Sequence, residues 1–436
     1  MNIDSRIKSQ IKVLVEKHFS SQPESEFKLG STRIPLIAPS FGAEEIIEAI
    51  DSMLTTQVTM GEKVNKFESM FAKYIGVKHA LMVNSGSSAN LIVLSALTNP
   101  LFRYRMKQGD EVITPAVTWA TTVWPISNCN LVPVLVDVDM HTFNINVEEI
   151  EKAITDKTRA IMPVHLLGNP CNMKEIMRIA KKHKLFVIED ACEAHGAEFC
   201  EQKVGSFGDF STFSFFFSHH IGTIEGGMVL TNDDNLADIA RALRVFGWVR
   251  DVKNKDKIIA KYHDIDSRYL FYTTGYNFRP TEIQGAFGIH QIKKLDSFIK
   301  ARQENAKFWS QHLSKYDKYL MLHDEQPNTK HVWFAYPITV RPEAPFTRED
   351  LTRFLEAKGV ETRPIMAGNI VEQPAMRHLT YKQIGTLKNS RLIMRNSFFF
   401  GNHHKVTEQE REAILSYFKE FIAKFTKGTV IGGKSK

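Results

Sequence analysis

The chain has 436 residues, of which 43% are hydrophobic and 24% are charged, and its net charge is +7. This composition excludes extensive disorder, and the length favours two packed lobes over one simple core. Because Lys and Arg alternate with Asp and Glu throughout, we expect an anionic small substrate and no nucleic-acid partner.

The cysteines and the apolar runs indicate where the protein works. Its four cysteines form no C-x-x-C pair and no disulfide-rich pattern, which predicts a reducing compartment. The first residues lack the apolar region of a secretory signal, and no run of 18 apolar residues occurs. We therefore expect a cytoplasmic protein without a membrane span.

The elements predicted along the chain give an α/β architecture. Residues 1–35 form a predicted N-terminal unit, an amphipathic helix followed by a connector. Short apolar runs then alternate with helical stretches, which predicts parallel strands joined by helical crossovers. This pattern indicates a doubly wound, mostly parallel domain over residues 36–295. Its predicted strands are 79–84, 111–115, 132–138, 159–165, 185–190, 210–216 and 226–231.

The remainder of the chain predicts a smaller C-terminal domain. A long helix begins near Thr281 and leads into an α+β domain at 296–425, whose clearest strand is WFAYPITV. The polar, glycine-rich tail 426–436 is predicted to be disordered.

The segment from Asn84 to Asn90, NSGSSAN, follows a predicted strand and opens a helix. Small residues at a helix N-terminus leave backbone N–H groups free to bind a phosphate. Ser and Asn are also ordinary helix N-caps, so this segment by itself leaves both interpretations open.

Asp190 ends the apolar strand LFVIED, at the sheet edge where ligands of open α/β sheets bind. A carboxylate at this edge can keep a pyridinium nitrogen protonated, which makes the ring an electron sink. A capping role for Asp190 is an equal alternative. Glu193, one turn later, could face the 3-oxygen of the same ring.

A third segment, FSFFFSHH, is followed by IGTI and then by Glu225-Gly226-Gly227. It places Ser214 at the end of a strand, His219 five residues further on, and a glycine pair before the next strand. A structural role would be expected for an isolated histidine, but this combination of neighbours is unusual.

Together the three segments resemble the DegT/DnrJ/EryC1/StrS sugar aminotransferase family of fold-type I pyridoxal phosphate (PLP) enzymes. The resemblance covers about residues 35–425 and includes the stretches TWAT, PVHLLG and GYNFRPTE. It implies that Gly86, Ser87 and Ser214 hold the cofactor phosphate. It also implies that Trp119 stacks on the ring, although burial in the core is an alternative for this residue.

Further roles follow from the resemblance. Asp190 would pair with the ring nitrogen and Glu193 would lie near the 3-oxygen, although the family usually has glutamine at this position. Asn277 would reach the phosphate of the partner subunit in a homodimer.

His219 stands where aminotransferases of the family have the Schiff-base lysine. An imidazole has no primary amine, so the cofactor would be held non-covalently, with pyridoxamine phosphate (PMP) as the resting form. Imidazole is still a good proton acceptor near neutral pH. The chain therefore resembles the branch of nucleotide-linked 4-keto-6-deoxyhexose 3-dehydratases. In that branch the histidine takes a proton from the cofactor and the sugar C3 hydroxyl leaves.

This branch has two subtypes, one with a [2Fe–2S] cluster and one that restores PMP from L-glutamate. No cysteine follows Gly227, so the cysteines of the cluster subtype are missing and the glutamate route without a metal is predicted. A non-catalytic relative that binds cofactor or nucleotide sugar is the alternative. An ordinary aminotransferase would need a lysine between Phe213 and Gly227.

The sequence does not identify the nucleotide or the sugar of the substrate. The roles of Arg363, His403 and His404 are also open, and both substrate contacts and solvated positions are considered for them.

Overall fold

The computed structural model describes residues 3–21 and 26–426. Its α-helices are α1 (Ile3–Ser20), α2 (Ala43–Leu54), α3 (Glu62–Ile75), α4 (Gly86–Thr98), α5 (Ala120–Asn128), α6 (Val147–Ala153), α7 (Met173–His183), α8 (Asp234–Arg244), α9 (Lys255–Ile259), α10 (Glu282–Leu313), α11 (Arg348–Ala357), α12 (Lys388–Asn396) and α13 (Glu408–Thr426).

The strands alternate with these helices from residue 79 to residue 190, four strands then follow without an α-helix between them, and strands and helices mix after residue 231. They are β1 (His79–Val83), β2 (Glu111–Pro115), β3 (Val132–Val136), β4 (Thr158–Ile161), β5 (Phe186–Asp190), β6 (Glu198–Phe199), β7 (Gln202–Lys203), β8 (Phe210–Ser214), β9 (Gly227–Thr231), β10 (Leu320–Leu322), β11 (Thr329–Lys330), β12 (Tyr336–Val340), β13 (Thr362–Pro364), β14 (Lys382–Gln383) and β15 (Ser397–Phe400).

The large sheet has eight strands in the order β1-β9-β8-β5-β4-β2-β3-β14. Only β9 runs antiparallel to its neighbours, and all other adjacent pairs are parallel. This confirms the mostly parallel α/β class. Each predicted strand is present, and several end one to four residues earlier than the apolar runs do. These runs continue into loops at the carboxyl edge, where the site lies.

Both faces of the large sheet are covered by helices, which explains the continuous apolar runs of its strands. In β1, Leu81 and Val83 pack with α4 and α8, whereas Ala80 and Met82 pack with α3 and α10. Every residue of β1, β2, β5, β8 and β9 except Phe186 is buried. Packing on both faces holds the strand ends in position, and therefore also the first residues of the loops that follow them.

The long helix predicted from Thr281 is α10, and Thr281 is its N-cap. It runs from the large sheet to a four-stranded antiparallel sheet, β10-β12-β15-β13, whose core includes Trp309, Tyr336 and Phe418. Lys382 and Gln383, from the predicted smaller domain, add strand β14 to the edge of the large sheet. The domain boundaries given above stay predictions.

The N-terminal helix α1 lies against α2, where Lys8 and Asp51 form an ion pair of 2.9 Å. The tail 427–436, predicted to be disordered, is outside the described residues. Within residues 3–21 and 26–426 no helix has the length and apolarity that crossing a bilayer requires.

Candidate active site

A cavity of about 510 Å³ opens at the carboxyl ends of β1, β5 and β8, where parallel strands present their loops. Seven of the eight predicted site residues line it, and Asn277 does not. The seven are Gly86, Ser87, Trp119, Asp190, Glu193, Ser214 and His219. No lysine of the described chain lines this cavity. Their separate roles stay predictions, but the fold brings them to one place.

The N-terminus of α4 and the end of β8 form one wall. The Ser85 side chain accepts a hydrogen bond from Ser88 N at 3.1 Å, so the N-cap interpretation is right for Ser85. A Cβ on Gly86 would lie 2.6 Å from Ser214 Cβ, so only glycine lets helix and strand approach this closely. The first N–H groups of a helix have no partner within the helix. Those of Gly86 and Ser87 therefore suit a phosphate, with the Ser214 hydroxyl beside them.

Asp190 is buried on the floor of the cavity and held on both oxygens. Its Oδ2 accepts hydrogen bonds from Asn90 Nδ2 at 3.0 Å and from Thr122 Oγ1 at 2.8 Å. Its Oδ1 accepts one from Cys192 N at 3.2 Å within the turn that follows β5, and among the described residues no helix begins there for Asp190 to cap. Thr212 in turn donates to Asn90 Oδ1 at 2.6 Å. These three donors hold the Asp190 carboxyl group in a fixed orientation.

Trp119 is 58% exposed and lies at the N-cap of α5. The alternative that it belongs to the core is therefore wrong. A tryptophan open to a cavity has a free ring face on which a planar ligand can stack.

Glu193 lies in the turn after Asp190, and its Oε2 accepts a hydrogen bond from Leu167 N at 2.7 Å. Burial raises the pKa of Glu193 to about 8, and the nearby charge of Asp190 also raises it. The Leu167 N–H opposes the shift without cancelling it.

The two adjacent histidines face different surroundings. His219 lines the cavity, and its Nδ1 is buried without a hydrogen-bond partner among the described residues, which leaves Nε2 toward the cavity. His220 is 1% exposed, and its Nε2 lies 2.9 Å from the carbonyl oxygen of Val332. The structure therefore places His219, and not His220, at the site.

A buried arginine lies behind the histidines. Arg302 of α10 donates through Nη1 to the carbonyl oxygens of Phe334, at 2.7 Å, and of Asn402. Burial, together with the smaller effect of the positive charge of Arg302, lowers the pKa of His219 to about 3. His219 is therefore neutral at pH 7, which is the protonation state that a proton acceptor requires.

Four other residues complete the comparison with the sequence. Arg363, from β13, lines the cavity opposite the large sheet. His403 is 3% exposed with Nε2 3.2 Å from Pro35 O, so a solvated position is wrong for it. His404 stacks on Phe298 at 3.9 Å between ring centroids, and neither histidine lines the cavity. Asn277 is exposed, and its Oδ1 accepts a hydrogen bond from Arg279 Nε at 3.1 Å.

Sequence reasoning assigned no role to Asn90, Thr122 or Arg302. Asn90 carried a signal, because it is a buried amide in the apolar helix SANLIVLSAL. Arg302 carried none, since it lies among ordinary charged residues of α10 and is buried only by the fold. The phosphate-sized cradle, the anchored carboxylate and the exposed tryptophan fit PLP or PMP.

The family model of the DegT/DnrJ/EryC1/StrS aminotransferase family matches residues 40–419. A GDP-4-keto-6-deoxy-D-mannose 3-dehydratase of Escherichia coli O55:H7 is 38% identical over 360 residues, which cover 82% of this chain and 92% of that protein. A dTDP-4-dehydro-2,6-dideoxy-D-glucose 3-dehydratase of Saccharopolyspora spinosa is 37% identical over 430 residues, 96% of this chain and 92% of that protein.

Among solved structures, the chain is similar to a GDP-4-keto-6-deoxymannose-3-dehydratase with a trapped PLP-glutamate geminal diamine. The TM-score is 0.81 at 34% identity, and the match covers 88% of this chain and 99% of that chain. Fold and site define a fold-type I PLP enzyme. The chain belongs to the DegT/DnrJ/EryC1/StrS aminotransferase family.

Proposed function

We propose that this protein is a PMP/PLP-dependent 3-dehydratase that removes the C3 hydroxyl of a nucleotide-linked 4-keto-6-deoxyhexose, with L-glutamate restoring PMP. The observation that carries the proposal is His219, which faces a cavity that no lysine of the described chain lines. Relatives over most of the chain's length are named as 3-dehydratases of such sugars, and one similar structure contains PLP and glutamate. The product would serve deoxysugar and surface-polysaccharide synthesis.

The residues of this chain have separate tasks. When bound, the cofactor supplies an electron-withdrawing ring and, as PMP, a primary amine. Gly86 and Ser87 hold its phosphate through backbone N–H groups, together with the hydroxyl of Ser214. Asp190, which three hydrogen bonds hold in place, pairs with the ring nitrogen and keeps it protonated. Trp119 covers the ring on the open side of the cavity.

His219 moves the proton. The ring is neutral at pH 7 and lines the cavity, so in the tautomer with its proton on Nδ1 the free Nε2 can accept a proton bound to carbon as the C3 hydroxyl leaves. Negative charge from a phosphate held in this cavity would raise the low pKa of the His219 ring. Because imidazole has no primary amine, the cofactor stays non-covalent. After the hydroxyl has left, hydrolysis by water releases the deoxygenated ketone and ammonia.

We also propose that no iron–sulfur cluster takes part. Such clusters are held by cysteine thiolates, and no cysteine follows Gly227. Burial raises the pKa values of Cys171 and Cys192, which keeps both thiols protonated.

The purified protein with PLP and L-glutamate tests this function. Absorbance should show conversion of PLP to PMP, and one of a panel of GDP-, CDP-, dTDP- and UDP-linked 4-keto sugars should then release ammonia. Iron should be absent, and no reductase should be needed. Cofactor conversion without ammonia release from any sugar would contradict the dehydratase. Binding of cofactor or sugar with neither reaction would indicate a non-catalytic relative.

We propose further that the protein is a homodimer. Asn277 is exposed, and the strand bridge from Val245 to Asn277 places it beside the exposed ring of Phe246. Tyr269 and Phe271, which are 68% and 51% exposed, extend this aromatic surface. Surfaces of this kind are typical of subunit contacts. Asn277 would then complete the phosphate site of its partner.

Asn277→Ala is expected to weaken PMP binding by about 10- to 100-fold, because it removes a hydrogen bond to a charged phosphate. Titration of the apoprotein with PMP measures the effect, and sedimentation should show an intact dimer. Asn65→Ala, at an exposed asparagine of α3, should leave the affinity unchanged. A fully active monomer would contradict the proposal.

A further inference from the structure

Two carboxylates share the cavity in different surroundings. Asp190 accepts three hydrogen bonds, from Asn90, Thr122 and the backbone of Cys192. Glu193, three residues later, accepts one hydrogen bond in the described part of the chain, from Leu167 N to Oε2 at 2.7 Å. When two carboxyl groups lie close together in a dry site, the group with more donors ionises and the other keeps its proton.

The charges around Glu193 do not favour its ionisation. Asp190 and Cys192 lie on its own turn, and the charge of Asp190 raises the pKa of Glu193. His331 lies behind Leu167 and Gly168 and is itself neutral because burial lowers its pKa. Across the cavity lie His219, which is neutral, and the cation Arg363, and neither forms an ion pair with Glu193 among the described residues. The pKa of about 8 agrees with this geometry.

We propose that Glu193 acts as a neutral carboxylic acid that donates a hydrogen bond from Oε1 to the 3-oxygen of the bound cofactor. Oε2 is already an acceptor for Leu167 N, so the proton belongs on the other oxygen, toward the cavity. A protonated carboxyl has one donor and one acceptor, the pattern that a glutamine amide supplies. The glutamate would thus do the work of the glutamine usual in the family, and a bond from O–H to an ionised oxygen is among the strong ones.

This inference rests on PLP or PMP as the cofactor of the proposed function, and its test needs no sugar and no turnover. The dissociation constant of PMP is measured for the wild-type protein and for Glu193→Gln between pH 6.5 and 9.5. The amide also donates but cannot ionise. The two constants should agree within about threefold at pH 7. Above the pKa of Glu193, the dissociation constant of the wild type divided by that of the variant should increase with pH, by up to about tenfold for each pH unit. Using the ratio cancels the cofactor's own ionisations.

Two further variants sharpen the test. Glu193→Ala, which has no donor, should bind PMP about tenfold or more weakly than Glu193→Gln across the whole pH range. Glu325→Gln is the matched control, because Glu325 also has a pKa raised by burial but does not line the cavity. It should keep the wild-type pH dependence. Circular dichroism melting establishes that each variant is folded.

A ratio that stays flat from pH 6.5 to 9.5 would overturn the inference, as would a loss of more than tenfold for Glu193→Gln at pH 7. Should that variant not fold, the absorbance of PLP in the wild-type protein decides. A spectrum without a transition between pH 7 and 9.5 overturns the inference. These outcomes leave the dehydratase proposal standing, whereas a protein with the expected pH dependence and no dehydration would overturn that proposal alone.

Discussion

Replacing His219 by asparagine is expected to slow dehydration by about 10²–10⁴-fold, the usual contribution of a positioned proton-transfer group. At 1.36 kcal/mol per factor of ten, this is about 3–5 kcal/mol of transition-state stabilisation. Asparagine keeps a polar side chain of similar reach but cannot accept the proton. Single-turnover measurement of ammonia release from the PMP form gives the rate. The affinities for PMP and for the nucleotide-linked sugar should change little, because in the proposed function His219 binds neither the cofactor phosphate nor the phosphates of the sugar nucleotide.

The neighbouring histidine is the control for register. His220 is buried and bonded to Val332 O, so His220→Asn should lower the melting temperature but preserve the single-turnover rate of the folded enzyme. His263→Asn, at an exposed histidine, should change neither quantity. If His220→Asn abolished turnover and His219→Asn kept it, the base would be one residue further on. If both kept it, no histidine in this segment would be the base.

His219→Lys tests the same position by the opposite change. The introduced amine should bind PLP covalently, give a yellow protein and impair dehydration. Borohydride treatment should add the mass of reduced cofactor to this variant and leave the wild-type polypeptide mass unchanged. A stable adduct on a wild-type lysine would contradict non-covalent binding.

Acidification from pH 7 to pH 5 is expected to lower the free energy of unfolding by several kcal/mol. Burial lowers the pKa of His323, which is 7% exposed, to about 3, and it lowers those of His195 and His331 well below the usual value. The unfolded chain binds these protons near pH 6.5 and the folded protein does not. Their stabilising contribution is therefore complete above pH 6.5 and is lost as the pH falls. For His323 alone the loss by pH 5 is about 2 kcal/mol.

Urea unfolding at pH 7, 6 and 5, at constant ionic strength, measures this loss. His195→Phe is the informative variant, because both nitrogens of His195 are buried without hydrogen-bond partners in the described structure, and its ring contacts those of Phe71, Phe213 and Phe215. The phenyl ring should fit this apolar site and reduce the slope by about one proton, or about 1.36 kcal/mol per pH unit. An unfolding free energy that is constant from pH 7 to 5 would contradict the prediction.

The sequence was sufficient for the fold class and for seven of the residues that line the cavity. Strands buried on both faces must be apolar throughout, so the strands of the large sheet were visible as apolar runs. The positions of Ser85, Asp190 and Ser214 were predictable in the same way. They lie at the end of such runs or just after them, and parallel strands end at a common edge of the sheet. The identity of residue 219 was also readable, since an imidazole cannot form a Schiff base wherever it lies.

The tertiary structure decided what depends on partners distant in sequence. It showed that Trp119 is open to the cavity, that His403 is buried, and that Asn90 and Thr122 anchor Asp190 from two different helices. The protonation states of the site residues also depend on the tertiary structure. The neutral ring of His219 depends on burial and on Arg302, 83 residues later in the sequence, and the raised pKa of Glu193 depends on burial beside Asp190. A sequence pattern specifies which groups can titrate, whereas desolvation and neighbouring charges exist only once the chain has packed.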